Sequence, residues 1–116
     1  MVQGLGTVIY KVADLNRAKA WYSSAFRQAP YFDQPFYVGF DIDGQELGLN
    51  PDLSKYQNGP GGCVAYWRVG DCAAAFAAAL AAGGTEVEAP HDVGGGLTVA
   101  VIGDPCTNLV GLISGH

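Results

Sequence analysis

Val8-Ile9-Tyr10-Lys11-Val12-Ala13-Asp14 and Ala65-Tyr66-Trp67-Arg68-Val69-Gly70-Asp71 decide the fold. At an offset of 57 residues, aromatic stands over aromatic, cation over cation, Val over Val, small over small and Asp over Asp. Each copy reads as a strand rich in β-branched and aromatic residues, running into an Asp suited to cap a helix. Two copies of one supersecondary unit follow, since half of a 116-residue chain is too short to bury a core alone.

Reading outward from the first copy, Gly4–Val12 is expected as a strand and Leu15–Phe26 as a helix. Leu15, Ala18, Trp21, Tyr22, Ala25 and Phe26 recur at helical spacing on one face, and Pro30 bars continuation. Phe36–Ile42 and Glu46–Asn50 flank Asp43-Gly44, a hairpin signal. From the second copy, Cys63–Val69 is a strand and Cys72–Ala82 an alanine-rich helix stopped by Gly83-Gly84. Thr85–Glu88, Leu97–Ile102 and Leu109–Ile113 complete the strands, with Ala89-Pro90-His91-Asp92-Val93 expected as a loop. The class is therefore α+β, one domain over residues 1–116: a module at 1–50, a linker or lid loop at 51–62 dense in Gly, Pro and Asn, and a module at 63–116.

Composition narrows the function. Six Lys plus Arg against eleven Asp plus Glu, with no basic run, leave no footprint for nucleic acid. The longest apolar run, Cys72–Ala82, spans about 16 Å as a helix, too short for a bilayer. The N-terminus lacks the charged leader and apolar block of a secretory signal, so a cytoplasmic location is expected. Cys63, Cys72 and Cys106 are odd in number and none stand at zinc-ligand spacing, which favours reduced thiols.

The strand running into Asp14-Leu15, the aromatic Trp21-Tyr22 and Phe26, and Asp104-Pro105-Cys106-Thr107-Asn108 before the last strand together resemble the vicinal oxygen chelate superfamily. That group includes glyoxalase I, bleomycin-resistance proteins and extradiol dioxygenases. The resemblance implies two βαβββ modules forming a cup-shaped mixed sheet with helices outside, and a homodimer. Strand alternation then places Thr7, Ile9, Lys11, Val64, Tyr66 and Arg68 toward the cup, along with Glu46, Gly48 and Asn50, and with Leu109, Gly111 and Ile113.

Metal-dependent members of that superfamily carry ligands on the first and last strands of each module. The corresponding positions here are Thr7, Val64, Gly48 and Gly111, which offer no effective ligand set. His91 in its loop and the terminal His116, expected to be frayed, do not replace them, so no metal and no cofactor is expected. What the resemblance then implies is a metal-independent, drug-sequestering protein of the bleomycin-resistance type, with a role in antibiotic resistance. Its ligand would be a small organic molecule, aromatic or cationic.

Tyr31, Phe32, Phe36, Tyr37 and Phe40 supply aromatic faces, and Asp33, Asp41 and Glu46 supply negative charge. The candidate ligand-binding residues are Lys11, Tyr37, Glu46, Tyr56, Tyr66 and Arg68. Most of the other aromatics are expected in packing roles: Phe40 with Val38 and Ile42, Trp67 under the second helix, and Trp21 either in the core or over a cleft. Enzymatic activity is the alternative: a glyoxalase-like lyase or another enzyme with Glu46 as an acid/base group, its pKa raised by burial. No nucleophile–base pair supports a catalytic assignment.

Overall fold

A computed structural model describes residues 1–115; His116 lies outside the described residues. The elements run β1 (Thr7–Lys11), α1 (Leu15–Ala25), β2 (Phe32–Gln34), β3 (Tyr37–Ile42), β4 (Gln45–Asn50), β5 (Ala65–Arg68), α2 (Cys72–Ala81), β6 (Thr85–Gly94), β7 (Leu97–Gly103) and β8 (Leu109–Ser114). This is βαβββ twice, in two four-stranded sheets ordered β1-β4-β3-β2 and β5-β8-β7-β6. In each, the first strand pairs in parallel with the last, Thr7 opposite Glu46 and Tyr66 opposite Gly111, while the remaining pairs are antiparallel.

Both helix starts follow from the repeated Asp. Asp14 and Asp71 keep extended backbones, and each carboxylate accepts a 3.1 Å hydrogen bond from the N–H three residues on, of Arg17 and Ala74. At the end of α2, Gly83 takes φ +110 while its N–H reaches Leu80 O and that of Gly84 reaches Ala79 O, both at 3.0 Å. This is a Schellman stop, which a side chain at Gly83 would strain. Between β3 and β4, Asp43 and Gly44 both have positive φ, so the turn matches the twist of its strands.

The repeat folds onto itself around one core. β1 and β4 send Tyr10, Leu47 and Leu49 inward, with Val12 just after β1; β3 sends Val38 and Phe40, and α1 covers them with Ala18, Trp21 and Tyr22. The same cluster takes in Trp67, Val110 and Leu112 from the second sheet and Cys72, Phe76 and Ala79 from α2. Each fully buried Leu or Phe contributes about 1.5–3 kcal/mol. Trp21 is core: it is 3% exposed and donates to Ala79 O at 3.2 Å, joining the two helices. Trp67 packs edge-on to Phe26, the C-cap of α1, and donates to the Tyr10 hydroxyl at 3.0 Å.

The Asp104–Asn108 turn does more than precede β8. Asp104 is buried, and its Oδ1 accepts from the N–H groups of Cys106 (2.7 Å) and Asn108 (2.9 Å). Its Oδ2 accepts from the Tyr22 hydroxyl (2.7 Å) and Asn108 Nδ2 (2.9 Å). A buried carboxylate costs several kcal/mol when unpaired; four donors offset that here. Asn108 Nδ2 also reaches Lys11 O, and its Oδ1 accepts from Gly59 N–H. The motif thus ties β8 to α1, β1 and the 51–62 loop.

Two elements differ from the expectation: β2 (Phe32–Gln34) is a short exposed edge strand that the sequence did not mark, and β6 is longer than expected. His91 lies in a strand and not in a loop, because β6 runs ten residues, Thr85–Gly94. Its ladder with β7 shifts register at Glu86/Glu88, Glu88/His91 and Asp92/Gly94. The irregular pairing, with Pro90 unable to donate, hides the strand's alternation, and an edge position tolerates both. Among the described residues no helix is long and apolar enough to cross a membrane.

Candidate ligand-binding site

On the cup face of the first sheet, β3 presents Tyr37, Gly39 and Asp41 beside Glu46, Gly48 and Asn50 of β4. Gly39 stands directly opposite Gly48, and Asp41 opposite Glu46. Two facing glycines leave a bare floor, and two tyrosines cover it. A Cβ added at Gly39 would lie 3.1 Å from Tyr31 Cε1, and one at Gly48 would fall on the Tyr37 hydroxyl, 2.5 Å from Cζ. Both phenols end on one carboxylate. Tyr31 Oη donates to Glu46 Oε1, and Tyr37 Oη donates to Glu46 Oε2 at 2.5 Å. Thr7 stands opposite Glu46 on β1.

The electrostatics follow from these bonds. The Tyr31 and Tyr37 hydroxyls hold the Glu46 carboxyl below its ordinary value, outweighing the opposing effect of burial. This reverses the expectation of a burial-raised acid: two donors onto the charged form win at a partly open position. Burial, then the bond to Glu46, pushes Tyr37 up to about 12, and Tyr31 is raised chiefly by its bond to Glu46. Tyr31, Asp41, Gly44 and Glu46 line a cavity of 310 Å³. Phe32 and Phe36 pack edge-on at 5.9 Å beside Tyr37 and are exposed.

The other candidates sit elsewhere. Lys11 donates to Asp52 O at 3.0 Å and lies 5.6 Å over the Tyr56 ring, so this pair anchors the 51–62 loop to β1. They line a separate cavity of 690 Å³ with Cys63 and Asn108. Tyr66 covers Gly111 as Tyr37 covers Gly48: a Cβ at Gly111 would lie 2.5 Å from its Cδ2 and 2.9 Å from Ala65 O. Arg68 lines a third cavity, of 340 Å³, with Trp21, Phe26 and residues of α2. Asp33 is not near Glu46; it pairs with Lys19 of α1 at 3.1 Å. Of the six candidates, Tyr37 and Glu46 form one cluster and Lys11 and Tyr56 another. The sequence pointed to Tyr31 as an aromatic face, Asp41 as a negative charge and Thr7 as a cup-facing residue, but did not set them among the ligand-binding candidates; the paired glycines 39 and 48 were the available signal.

The residues present do not fit a divalent metal of the glyoxalase type. Thr7, Gly48, Val64 and Gly111 bring no nitrogen or carboxylate donor, and the tyrosine rings fill the space of a side chain at both glycines. Among the described residues no three His, Cys, Asp or Glu side chains converge.

Residues 4–112 match the family model of the Glyoxalase/Bleomycin resistance protein/Dioxygenase superfamily. The chain belongs to this superfamily. A glyoxalase-related enzyme from Fulvimarina pelagi matches at a TM-score of 0.83 and 19% identity, over 97% of this chain and 88% of that one. A glyoxalase/bleomycin resistance protein from Albidiferax ferrireducens T118 matches at 0.79 and 21% identity, over 95% and 97%. The fosfomycin resistance protein FosX of Listeria monocytogenes matches at 0.80 and 18% identity, over 100% and 96%. At such identities these superfamily structures share the fold alone. No curated protein matches the chain.

Proposed function

We propose that the protein binds a small aromatic organic molecule on its cup face without a metal, in the manner of drug-sequestering members of the superfamily. The observation that carries this reading is the pair of tyrosines over Gly48 and Gly111, where metal-dependent relatives hold ligands. The exposed rings of Tyr31, Phe32 and Phe36 beside an ionised Glu46 offer stacking faces and hydrogen-bond acceptors. Asp41 and Glu46 stand opposite each other, and neither belongs to the ion pairs Lys19–Asp33 and His91–Glu88. Cross-strand like charges repel, so a ligand bearing a cation is favoured over an anion. Membership includes a fosfomycin resistance protein among the structural neighbours, which makes antibiotics the first compounds to try.

The test is a thermal-shift screen of aromatic and cationic antibiotics, with and without added Mn²⁺, Ni²⁺ or Zn²⁺. Binding at 100 times Kd adds about 2.7 kcal/mol and moves the melting temperature visibly. A ligand that acts equally with chelator present supports the reading. A ligand that needs stoichiometric metal, or turnover of a compound in the screen, overturns it in favour of an enzyme of the superfamily. Gel filtration at micromolar concentration tests the homodimer that the family resemblance implies, and fractionation of the source cells tests the cytoplasmic location.

A further inference from the structure

The glycine floor is already occupied, by side chains of the protein itself. Tyr31 and Tyr37 each place a phenol ring over one of two opposed glycines and each donate a hydroxyl to the same carboxylate. The two rings are not held alike. Tyr37 is half-buried and its ring lies 6.2 Å from that of Phe32, whereas Tyr31 is 62% exposed, with no partner ring within the aromatic contacts of the first sheet. The Tyr31 backbone is fixed, its N–H on Gly39 O at 2.9 Å, so the ring can leave by side-chain rotation without the loop moving. Its departure would bare Gly39 and free one oxygen of Glu46.

From this geometry we infer that the Gly39–Gly48 floor with Glu46 is a slot for a planar ring bearing a hydroxyl donor, a phenol, and that Tyr31 is its displaceable occupant. The inference rests on the cup-face reading above and names the ligand class. The chemistry is what the slot now holds: a flat ring against side-chain-free backbone, and an O–H directed at a carboxylate. Glu46 has acceptor capacity and nothing to donate, so the incoming group must bring the hydrogen. An exposed Tyr31 bond to a charged acceptor is exchangeable at modest cost, because water competes for both partners.

The probe is p-cresol, the tyrosine side chain detached. Titrated into Tyr31→Ala by calorimetry, it should bind about tenfold more tightly than to the wild type, whose slot is closed by its own ring. The isostere 4-methylanisole, which cannot donate, should bind at least tenfold more weakly than p-cresol to that variant. Glu46→Gln placed in the same background should also weaken p-cresol. In the wild type, p-cresol should shift the Tyr31 ring resonances toward those of a free tyrosine while leaving buried Tyr22 unmoved; this holds the inference to account if Tyr31→Ala fails to fold. Equal affinity for wild type and variant, equal binding of the anisole, or an unmoved Tyr31 ring overturns the slot. If p-cresol fails while the antibiotic screen yields a metal-independent ligand, this inference falls and the broader reading stands. If p-cresol behaves as expected while the screened ligand needs metal, the reverse holds.

Discussion

Trp67 donates a 3.0 Å hydrogen bond to the hydroxyl of Tyr10, and the two residues are 57 apart, the offset of the internal repeat. They are therefore the same position in the two modules, meeting where the modules meet. Two indoles could not make this bond, because each would bring only a donor. Divergence of the repeat at this position supplies one donor and one acceptor.

Breaking this contact should be costly. Trp67→Phe leaves the buried Tyr10 hydroxyl unpaired, and Tyr10→Phe leaves the indole N–H unpaired. Each is expected to cost about 1–3 kcal/mol in urea unfolding. The double variant should cost less than the sum, since it removes both polar groups. Additive costs would show that the bond contributes nothing.

Asp104 receives four hydrogen bonds, including one from Tyr22 on the other module. Asp104→Ala should destabilise by about 3–5 kcal/mol, the range for breaking a buried charged network. Tyr22→Phe removes one donor of the four and is expected near 1–2 kcal/mol. Denaturant midpoints of the two variants check the order.

The glycines under the tyrosines should differ. At Gly111 a new Cβ meets the root of the Tyr66 ring and the Ala65 carbonyl, which is backbone and cannot swing away. At Gly48 it meets only the far end of Tyr37. Gly111→Ala is expected to lose about 1–3 kcal/mol, and Gly48→Ala clearly less. Gly48→Ala should instead detach Tyr37 from Glu46, visible as a fall of the Tyr37 pKa from about 12 toward the ordinary value of about 10.

Stability should fall at both ends of the pH scale. The Glu46 carboxyl is depressed in the fold by Tyr31 and Tyr37, so its contribution is present above the unfolded carboxylate pKa and is lost as pH falls through the lower folded one. The phenols of Tyr10 and Tyr37 are raised to about 12. Their contribution is intact below about 10 and disappears as pH climbs from there through 12. Absorbance titration of the phenolates, followed with melting temperature, checks the upper limb. Removing Tyr31 and Tyr37 together should flatten the lower one.

How much of this could be read from the residues depends on the kind of signal. Helices and most strands were legible because caps, turns and alternation are local: Asp14, Asp71, Asp43-Gly44 and the Leu47/Leu49 face behave as their spacing dictates. β6 was illegible past Glu88 because register shifts interrupt its alternation and Pro90 reads as a break. The vacancy at Gly48 and Gly111 was legible, but the rings that fill it were not, since contact across strands depends on register. The sign of the Glu46 shift failed for the same reason. Burial is inferable from hydrophobic neighbours, whereas two phenols aimed at one carboxylate are a matter of three dimensions. Asp104-Pro105-x-x-Asn108 could be read as a turn; that it holds the modules together could not.

The bulged course of β6 has a consequence for association. An outer strand interrupted by Pro90, broken in register three times and carrying Glu86, Glu88 and Asp92 offers a poor template to a foreign chain. At the opposite edge of its sheet, β5 is short and regular, as β1 is in the other. Open-ended fibre growth across the second sheet is thereby disfavoured on the β6 side by that strand's own irregularity.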